Sequence, residues 1–381
     1  GARTRGSGRR RKRTMKSANE TGAPQARRKR TLRSRALVAF IAVTFAGLVG
    51  ELAMRAYRAT QRYPQVAGAS FRDRRIDLIR RAFPAAHDPL LGYVPRAGYS
   101  GDDNVWRTRV TIRADGLRSN GENALAAGAG ALLAVGDSFT FGDQVSDHET
   151  WPAQLEAILQ RPVLNAGVFG YGFDQTVLRA EQLLERFEVD RVICSLIADD
   201  LTRCELSRRY TPKPWFALAG DGLELRGVPV PDTSKENRLD EQWLRRAMGH
   251  SALLDALAWN GAPAWWVGQA PEVRAHPRGA GLTLGMRLVD RLAHSCAERN
   301  VPLLLVLQAQ AAELGPAESV HAAELLAHGE RLGLATLDLD RRYHALSASD
   351  PAFHDEFFAG HMTAAGNRWV AEQIAGALSN R

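Results

Sequence analysis

The sequence predicts an α/β protein: a mostly parallel sheet of about five short strands, covered by helices on both faces and preceded by a single membrane-crossing helix. Three observations carry this expectation. From about Ala131 onward, short and wholly apolar runs alternate with stretches of helical periodicity, the pattern of strands buried on both faces. Several of these runs end directly in glycine-bounded polar motifs, as strands do when they deliver side chains to the edge of a sheet. Near the start of the chain, an uncharged apolar stretch follows a strongly basic one.

The basic and apolar stretches are best read together. Residues 1–35 hold 14 Lys and Arg against one acid, Glu20, whereas the remainder holds 36 basic and 41 acidic residues. The formal charge of +8 therefore belongs to the tail. Clusters such as Arg9 to Arg13 and Arg27 to Arg30 would suit nucleic acid, but they abut an apolar run, which favours topology and anionic lipid over a nucleic-acid partner. No charge occurs from Ala36 to Gly50, and Leu52, Ala53 and Met54 follow Glu51. Residues 36–54 are expected to form a signal-anchor helix, just long enough for a hydrocarbon layer of about 30 Å. The excess of positive charge places residues 1–35 in the cytoplasm and the rest on the far side. The rival is a cleaved signal peptide, whose best small-x-small site, Thr44-Phe45-Ala46, would cut inside the apolar run.

Residues 55–86 are rich in Arg, lack a defined apolar face and are expected to be a stalk. The main domain is assigned to 87–381. It opens with Gly92-Tyr93-Val94-Pro95 and a hairpin-like pattern around Arg109–Arg118. The expected strands are Ala131–Val135, Pro162–Leu164, Arg191–Ile197, Val301–Leu307 and Ala335–Leu339. The expected helices are Trp151–Leu159, Val177–Leu184, Leu282–Ala297, Val320–Leu332 and Ala364–Leu378. Residues 207–278 interrupt this rhythm and carry Trp215, Trp243, Trp259, Trp265 and Trp266. An insertion far longer than a usual connection reads as a satellite hydrophobic cluster, a cap over a pocket, or both.

With 45% hydrophobic and 24% charged residues, the composition excludes wholesale disorder, a collagen-like repeat and a multi-span membrane protein. Cys194, Cys204 and Cys296 are too few for a disulfide scaffold and lack metal-ligand spacing. Either Cys194 pairs with Cys204 or the thiols are buried and free. His354, Asp355 and His361 lack a fourth ligand, so neither a metal nor a cofactor is expected.

The chemistry is concentrated at four strand or helix edges. Gly136-Asp137-Ser138 follows the first strand, where a small residue frees the backbone to turn and leaves the Ser138 hydroxyl at the carboxyl edge of the sheet. Asn165-Ala166-Gly167-Val168-Phe169-Gly170 follows the second, with glycines that allow a backbone N–H to approach a substrate. Asp199-Asp200-Leu201 follows the third, and His361 stands just before the last helix. A nucleophile, a base and oxyanion donors can thus be assembled. Asp143 and the pair Asp147-His148 are expected to be loop and helix-cap residues.

These motifs, in this order and spacing, resemble the SGNH or GDSL-type hydrolase superfamily over about residues 87–381. The resemblance implies a three-layer flavodoxin-like sandwich, with Ser138 as nucleophile and His361 as general base. The backbone N–H groups of Ser138 and Gly170 would donate to the oxyanion. The chain also resembles a branch of bacterial envelope proteins with an amino-terminal anchor. It departs from the superfamily twice. Asp199 stands where an Asn amide normally donates to the oxyanion; an ionised carboxylate about 4 Å from that charge would cost about 4 kcal/mol, so Asp199 is protonated and able to donate, turned away, or prohibitive. The triad acid is also missing from its usual place, since the residues two and three before His361 are Ala359 and Phe358, and the nearest acids are Asp355 and Glu356. Asp355 is taken as the candidate acid; the alternatives are Glu356, a dyad oriented by a backbone carbonyl, and a weak enzyme without an acid. The implied function is a serine ester hydrolase removing O-acyl or O-acetyl groups from envelope carbohydrate. Its rivals are an O-acyltransferase using the same residues and a degenerate domain that binds carbohydrate or a protein partner.

Overall fold

The computed structural model describes residues 23–60, 70–73, 75–76, 84–103, 108–126, 128, 130–209, 211–220, 222–233, 243–268, 271–310, 316–359 and 361–379. Most of the basic tail, part of the expected stalk and Gly360 therefore lie outside the described residues. The chain divides into two compact units, Gly1–Gln61 and Arg62–Arg381.

The first unit holds one helix, α1 (Ala23–Thr60). Its segment Ser34–Ala59, 26 residues, is long and apolar enough to cross a membrane, extending about 39 Å at 1.5 Å per residue. The helix is longer than the uncharged run because Glu51 and Arg55 form an i,i+4 ion pair on its surface and no Gly or Pro breaker follows before residue 60.

The second unit is built on five parallel strands: β1 (Leu132–Val135), β2 (Val163–Asn165), β3 (Arg191–Leu196), β4 (Leu303–Leu307) and β5 (Ala335–Asp338). Their order across the sheet is β5-β4-β3-β1-β2, with Leu132 of β1 opposite Val163 of β2 and Arg191 of β3. This is the doubly wound order in which a crevice opens between the carboxyl ends of β1 and β3. The five expected strands are those observed, within two residues at each end.

Alternation along each strand separates two cores. Leu133, Val135, Val192, Cys194, Leu303 and Leu305 pack with α4 (Phe173–Leu184), α9 (Gly281–Ala297) and α10 (Pro316–Arg331). Leu132, Ala134, Ile193, Leu304 and Val306 face the other way, toward α3 (Trp151–Leu159), α11 (Leu339–Ser349) and α13 (Ala364–Ser379). Helices on both faces give the three-layer sandwich. Burying a Leu or Ile in these layers is worth about 1.5–3 kcal/mol each, which is why strands this short hold together.

Two short helices complete the site-bearing edge: α2 (Ser138–Phe141) after β1 and α5 (Ala198–Arg203) after β3. In the insertion lie α6 (Trp243–Met248), α7 (Ala252–Gly261) and α8 (Pro263–Val267). Part of it forms the expected satellite core. Trp266 is fully buried with Ile76 and Val267, and its indole N–H donates to Asp255 at 2.6 Å. Residues of the expected stalk take part: Arg75 makes paired contacts with Asp255 at 3.0 and 3.1 Å, and Arg72 donates to the Trp266 carbonyl. The remaining tryptophans do not all join this core, since Trp243 and Trp265 are exposed. All three cysteines are free and buried, so Cys194 and Cys204 do not pair.

Candidate active site

Gly136 ends β1 where no larger residue fits: a Cβ there would lie 2.2 Å from Thr140 Oγ1 and 2.6 Å from the Ser195 carbonyl. The chain turns and starts α2 at once. Asp137 caps that helix, its Oδ1 accepting from the Phe139 N–H at 2.9 Å, a contact worth about 1 kcal/mol. The turn leaves Ser138 at the first helical position, where its own N–H has no intrahelical acceptor.

His361 reaches Ser138 from the opposite side. It belongs to a two-residue hairpin, Phe358–Ala359 paired with His361–Met362, between α12 (Pro351–Phe357) and α13. Phe358 and Met362 are buried and fix the hairpin in the core. The start of α13 is tied down by Asn367, whose side chain accepts from the Trp151 N–H at 2.9 Å and donates to the Thr363 carbonyl at 2.9 Å. Gly366 allows the helix to approach α12, since a Cβ there would meet the Phe357 carbonyl at 2.6 Å. The result is a contact of 3.1 Å between Ser138 Oγ and His361 Nε2. The ring also lies 5.2 Å, centroid to centroid, from Phe139.

The second edge supplies a close backbone. Gly167 abuts α2 so tightly that a Cβ would stand 2.2 Å from the Phe141 nitrogen. Gly170 adopts φ +71°, and among the described residues neither its N–H nor that of Ser138 has a hydrogen-bond acceptor. Both amides are therefore available to a ligand at this edge.

The third edge is organised by a guanidinium. Arg203, at the end of α5, donates from Nη1 to Asp137 Oδ2 (3.2 Å), Asp200 Oδ1 (2.6 Å) and the Tyr171 carbonyl (2.8 Å). Its Nε donates to Asp199 Oδ2 at 2.7 Å, and Arg209 Nη2 lies 3.7 Å from the same oxygen. Asp199 thus acts as an acceptor in an ion pair with Arg203 and Arg209 and not as a protonated donor to an oxyanion. Arg209, which comes from the insertion, also donates to the Gly170 carbonyl at 3.1 Å. Asp200 is fully buried, and burial first, then the charge of Asp137, hold its carboxyl well above the usual range.

The expected acid is not brought to the imidazole. Asp355 is exposed on α12, and no hydrogen bond or ion pair joins it to His361; its charge is instead felt by Tyr343. Its neighbour His354 faces the Tyr343 hydroxyl at 2.5 Å. Glu356 is exposed as well. In place of a carboxylate, Gln144 Nε2 lies 3.3 Å from His361 Nδ1, and Gln144 Oε1 accepts from the His361 N–H at 3.2 Å. Asp143 Oδ2 stands 3.9 Å from Nε2, on the Ser138 side.

Asp143, Gln144 and Arg203 are the site residues that the sequence did not single out in these roles. Arg203 had a signal, since it follows Asp199 and Asp200 at i+4 and i+3 on one helix face. Gln144 had none, because its position depends on a loop. That loop is fixed by Arg118, a buried residue that donates to the carbonyls of Phe141, Gly142 and Val145 and pairs with Asp147 Oδ1 at 3.3 Å. Asp147 also accepts from the Thr111 N–H at 3.0 Å, which makes it a structural loop residue.

Fold and site together define an α/β protein with a Ser–His pair and free amides at the β1/β3 crevice. No family model and no curated protein matches the chain. Among solved structures, it is similar to a lipase/acylhydrolase from Enterococcus faecalis, at 14% identity over 66% of this chain and 96% of that one, with a TM-score of 0.39. It is also similar to the psychrotrophic esterase EstA from Pseudoalteromonas sp., at 12% identity over 66% and 97%, TM-score 0.38. A third is LAE5, described as an alpha/beta hydrolase enzyme from the metagenome of Lake Arreo, Spain, at 13% identity over 67% and 97%, TM-score 0.38.

Proposed function

We propose that the chain is a serine ester hydrolase in which Ser138 is the nucleophile and His361 the general base. The observation that carries this reading is the 3.1 Å contact between Ser138 Oγ and His361 Nε2 at the carboxyl edge of the sheet. In this reaction Oγ attacks the ester carbonyl carbon while its proton passes to Nε2, which must present its lone pair. The carbonyl oxygen becomes an oxyanion and accepts from the N–H groups of Ser138 and Gly170. Each such donor is worth about 3–4 kcal/mol in the transition state. Collapse breaks the bond to the alcohol, which leaves with the proton from Nε2, and acyl-Ser138 remains. Water then repeats the sequence and releases the acid.

Asp199 does not oppose this step if its charge stays on Arg203 and Arg209, since the paired guanidinium groups offset it. Without a carboxylate on Nδ1 the pair works as a dyad, and the imidazolium formed in the reaction lacks the stabilisation that a buried acid gives.

The substrate class in this reading is O-acyl or O-acetyl groups on envelope carbohydrate. Residues 36–54 anchor the chain, with the basic tail cytoplasmic and the second unit extracytoplasmic. A transferase uses the same steps with a sugar hydroxyl in place of water. The second reading, a degenerate site that binds carbohydrate or protein, is favoured by the absence of a carboxylate at Nδ1 among the described residues.

The test is acetate release by the full chain in detergent from acetylated xylo- and glucosamine oligosaccharides, with and without an unacetylated acceptor sugar. Free acetate supports hydrolysis, and acetylated acceptor supports the transferase. Neither product, with retained sugar binding, supports the degenerate domain.

A further inference from the structure

The partners around the His361 ring determine which nitrogen holds its proton. Nδ1 faces Gln144 Nε2, a group that only donates. The amide cannot be turned over: Gln144 Oε1 is the acceptor of the His361 backbone N–H, and exchange would set two donors against each other while leaving an oxygen against the ring. Nδ1 is therefore an acceptor. On the other side, Nε2 faces the Ser138 hydroxyl oxygen at 3.1 Å and the Asp143 carboxylate at 3.9 Å, both able to accept. The Ser138 proton has its own acceptor in Asp137 Oδ2 at 3.4 Å. A neutral imidazole carries one donor and one acceptor, so with Nδ1 accepting from Gln144 the proton lies at Nε2, where the Ser138 hydroxyl oxygen can accept it. Base catalysis toward Ser138 requires the reverse.

We propose that Gln144 is a positioning residue that holds resting His361 in the Nε2-protonated tautomer and so keeps the site in an off state until Gln144 leaves Nδ1. This rests on the serine hydrolase reading for its consequence, though not for the tautomer itself. Strain in the loop is centred on Gln144. Gln144 has φ +71° and Gly142 φ +89°, so a non-glycine residue occupies the left-handed region beside the ring. Arg118 pins the carbonyls of Phe141, Gly142 and Val145, on either side of Asp143 and Gln144. Asp143 is tied as well, its N–H donating to the Ser138 carbonyl at 3.2 Å, so the change that releases Nδ1 is a movement of the Gln144 side chain.

The experiment compares wild type, Gln144→Glu and Gln144→Met as full chains in detergent micelles, by ring 15N–1H correlation spectra of His361 assigned against His361→Gln. Gln144→Glu keeps an oxygen for the His361 N–H and offers a carboxylate to Nδ1–H. Wild type is expected to carry the proton at Nε2, Gln144→Glu at Nδ1, and Gln144→Met a mixture. The rate of Ser138 acylation by a chromogenic acetyl ester is expected to rise at least tenfold in Gln144→Glu; a neutral side chain in place of a carboxylate beside a catalytic imidazole can cost on the order of 10⁴. Wild type with the proton already at Nδ1, or a tautomer unmoved in both variants, would overturn the proposal. A switched tautomer with no acylation in any variant would uphold the role of Gln144 and remove the hydrolase reading instead.

Discussion

Arg203 Nη1 lies 3.2 Å from Asp137 Oδ2, directly before Ser138 in sequence. The same nitrogen serves Asp200 and the Tyr171 carbonyl, while Nε serves Asp199. One side chain on α5 thus joins the ends of β1, β2 and β3. Arg203→Met should cost about 3–5 kcal/mol, because it leaves buried carboxylates without a counter-charge. Arg203→Lys should recover only part, since an ammonium cannot span the same acceptors. Chemical unfolding measures both; a loss under about 1 kcal/mol for Met would mean that the three edges are held otherwise.

Asp137, Asp199 and Asp200 share that guanidinium, and Asp200 is the most buried of the three. Its carboxyl is held well above the usual range, first by burial. Between the unfolded value, about 3.9, and this raised folded value, the folded chain binds the extra proton. Its stabilising contribution is therefore full below about pH 4 and is lost as pH rises through the folded pKa. Carboxyl 13C spectra should show Asp200 still protonated at a pH where exposed aspartates have ionised. Ionisation together with the exposed aspartates would contradict this.

Two glycines should behave oppositely when changed to alanine. At Gly167 the new Cβ would stand 2.2 Å from the Phe141 nitrogen, a backbone atom that cannot give way without moving α2 and Ser138. The cost should exceed about 3 kcal/mol and acylation should fall with it. At Gly376, inside α13, nothing lies within 4 Å of the added carbon, and alanine should stabilise by about 0.5–1 kcal/mol through helix propensity. Thermal unfolding distinguishes the two signs.

The cysteines should be silent in the folded chain. Burial pushes the Cys194 and Cys204 thiols well up and that of Cys296 to about 11, so at pH 8 only about one Cys296 in a thousand is a thiolate. Iodoacetamide should modify none of the three until denaturant is added, and all three afterwards. Rapid modification of native protein would show that these sites open.

The strands were legible because each carries a short apolar run, unbroken in Leu132–Val135 and Leu303–Leu307 and mixed with a few polar residues in the other three, that a sheet covered on both faces can bury. Asp137 and Ser138 were legible because the turn after β1 needs Gly136. The partner of His361 was not. Asp355 lies six residues away along the chain, yet α12 carries it toward Tyr343. Gln144, 217 positions distant, arrives through a loop that Arg118 shapes by bonding carbonyls, and carbonyls leave no mark in a sequence. The insertion was half legible: its aromatic content foretold the cluster around Trp266, but nothing local distinguishes Trp266 from its exposed neighbour Trp265.

The central claim is that Ser138 is a nucleophile activated by His361, and covalent labelling tests it most directly. The full chain in detergent is exposed to a fluorophosphonate probe beside Ser138→Ala and His361→Ala, with circular dichroism confirming that each variant is folded. The expected result is labelling of wild type that disappears in Ser138→Ala and falls at least 100-fold in His361→Ala, the loss of a general base. Folded wild type that stays unlabelled, or labelling that survives in Ser138→Ala, would contradict the account.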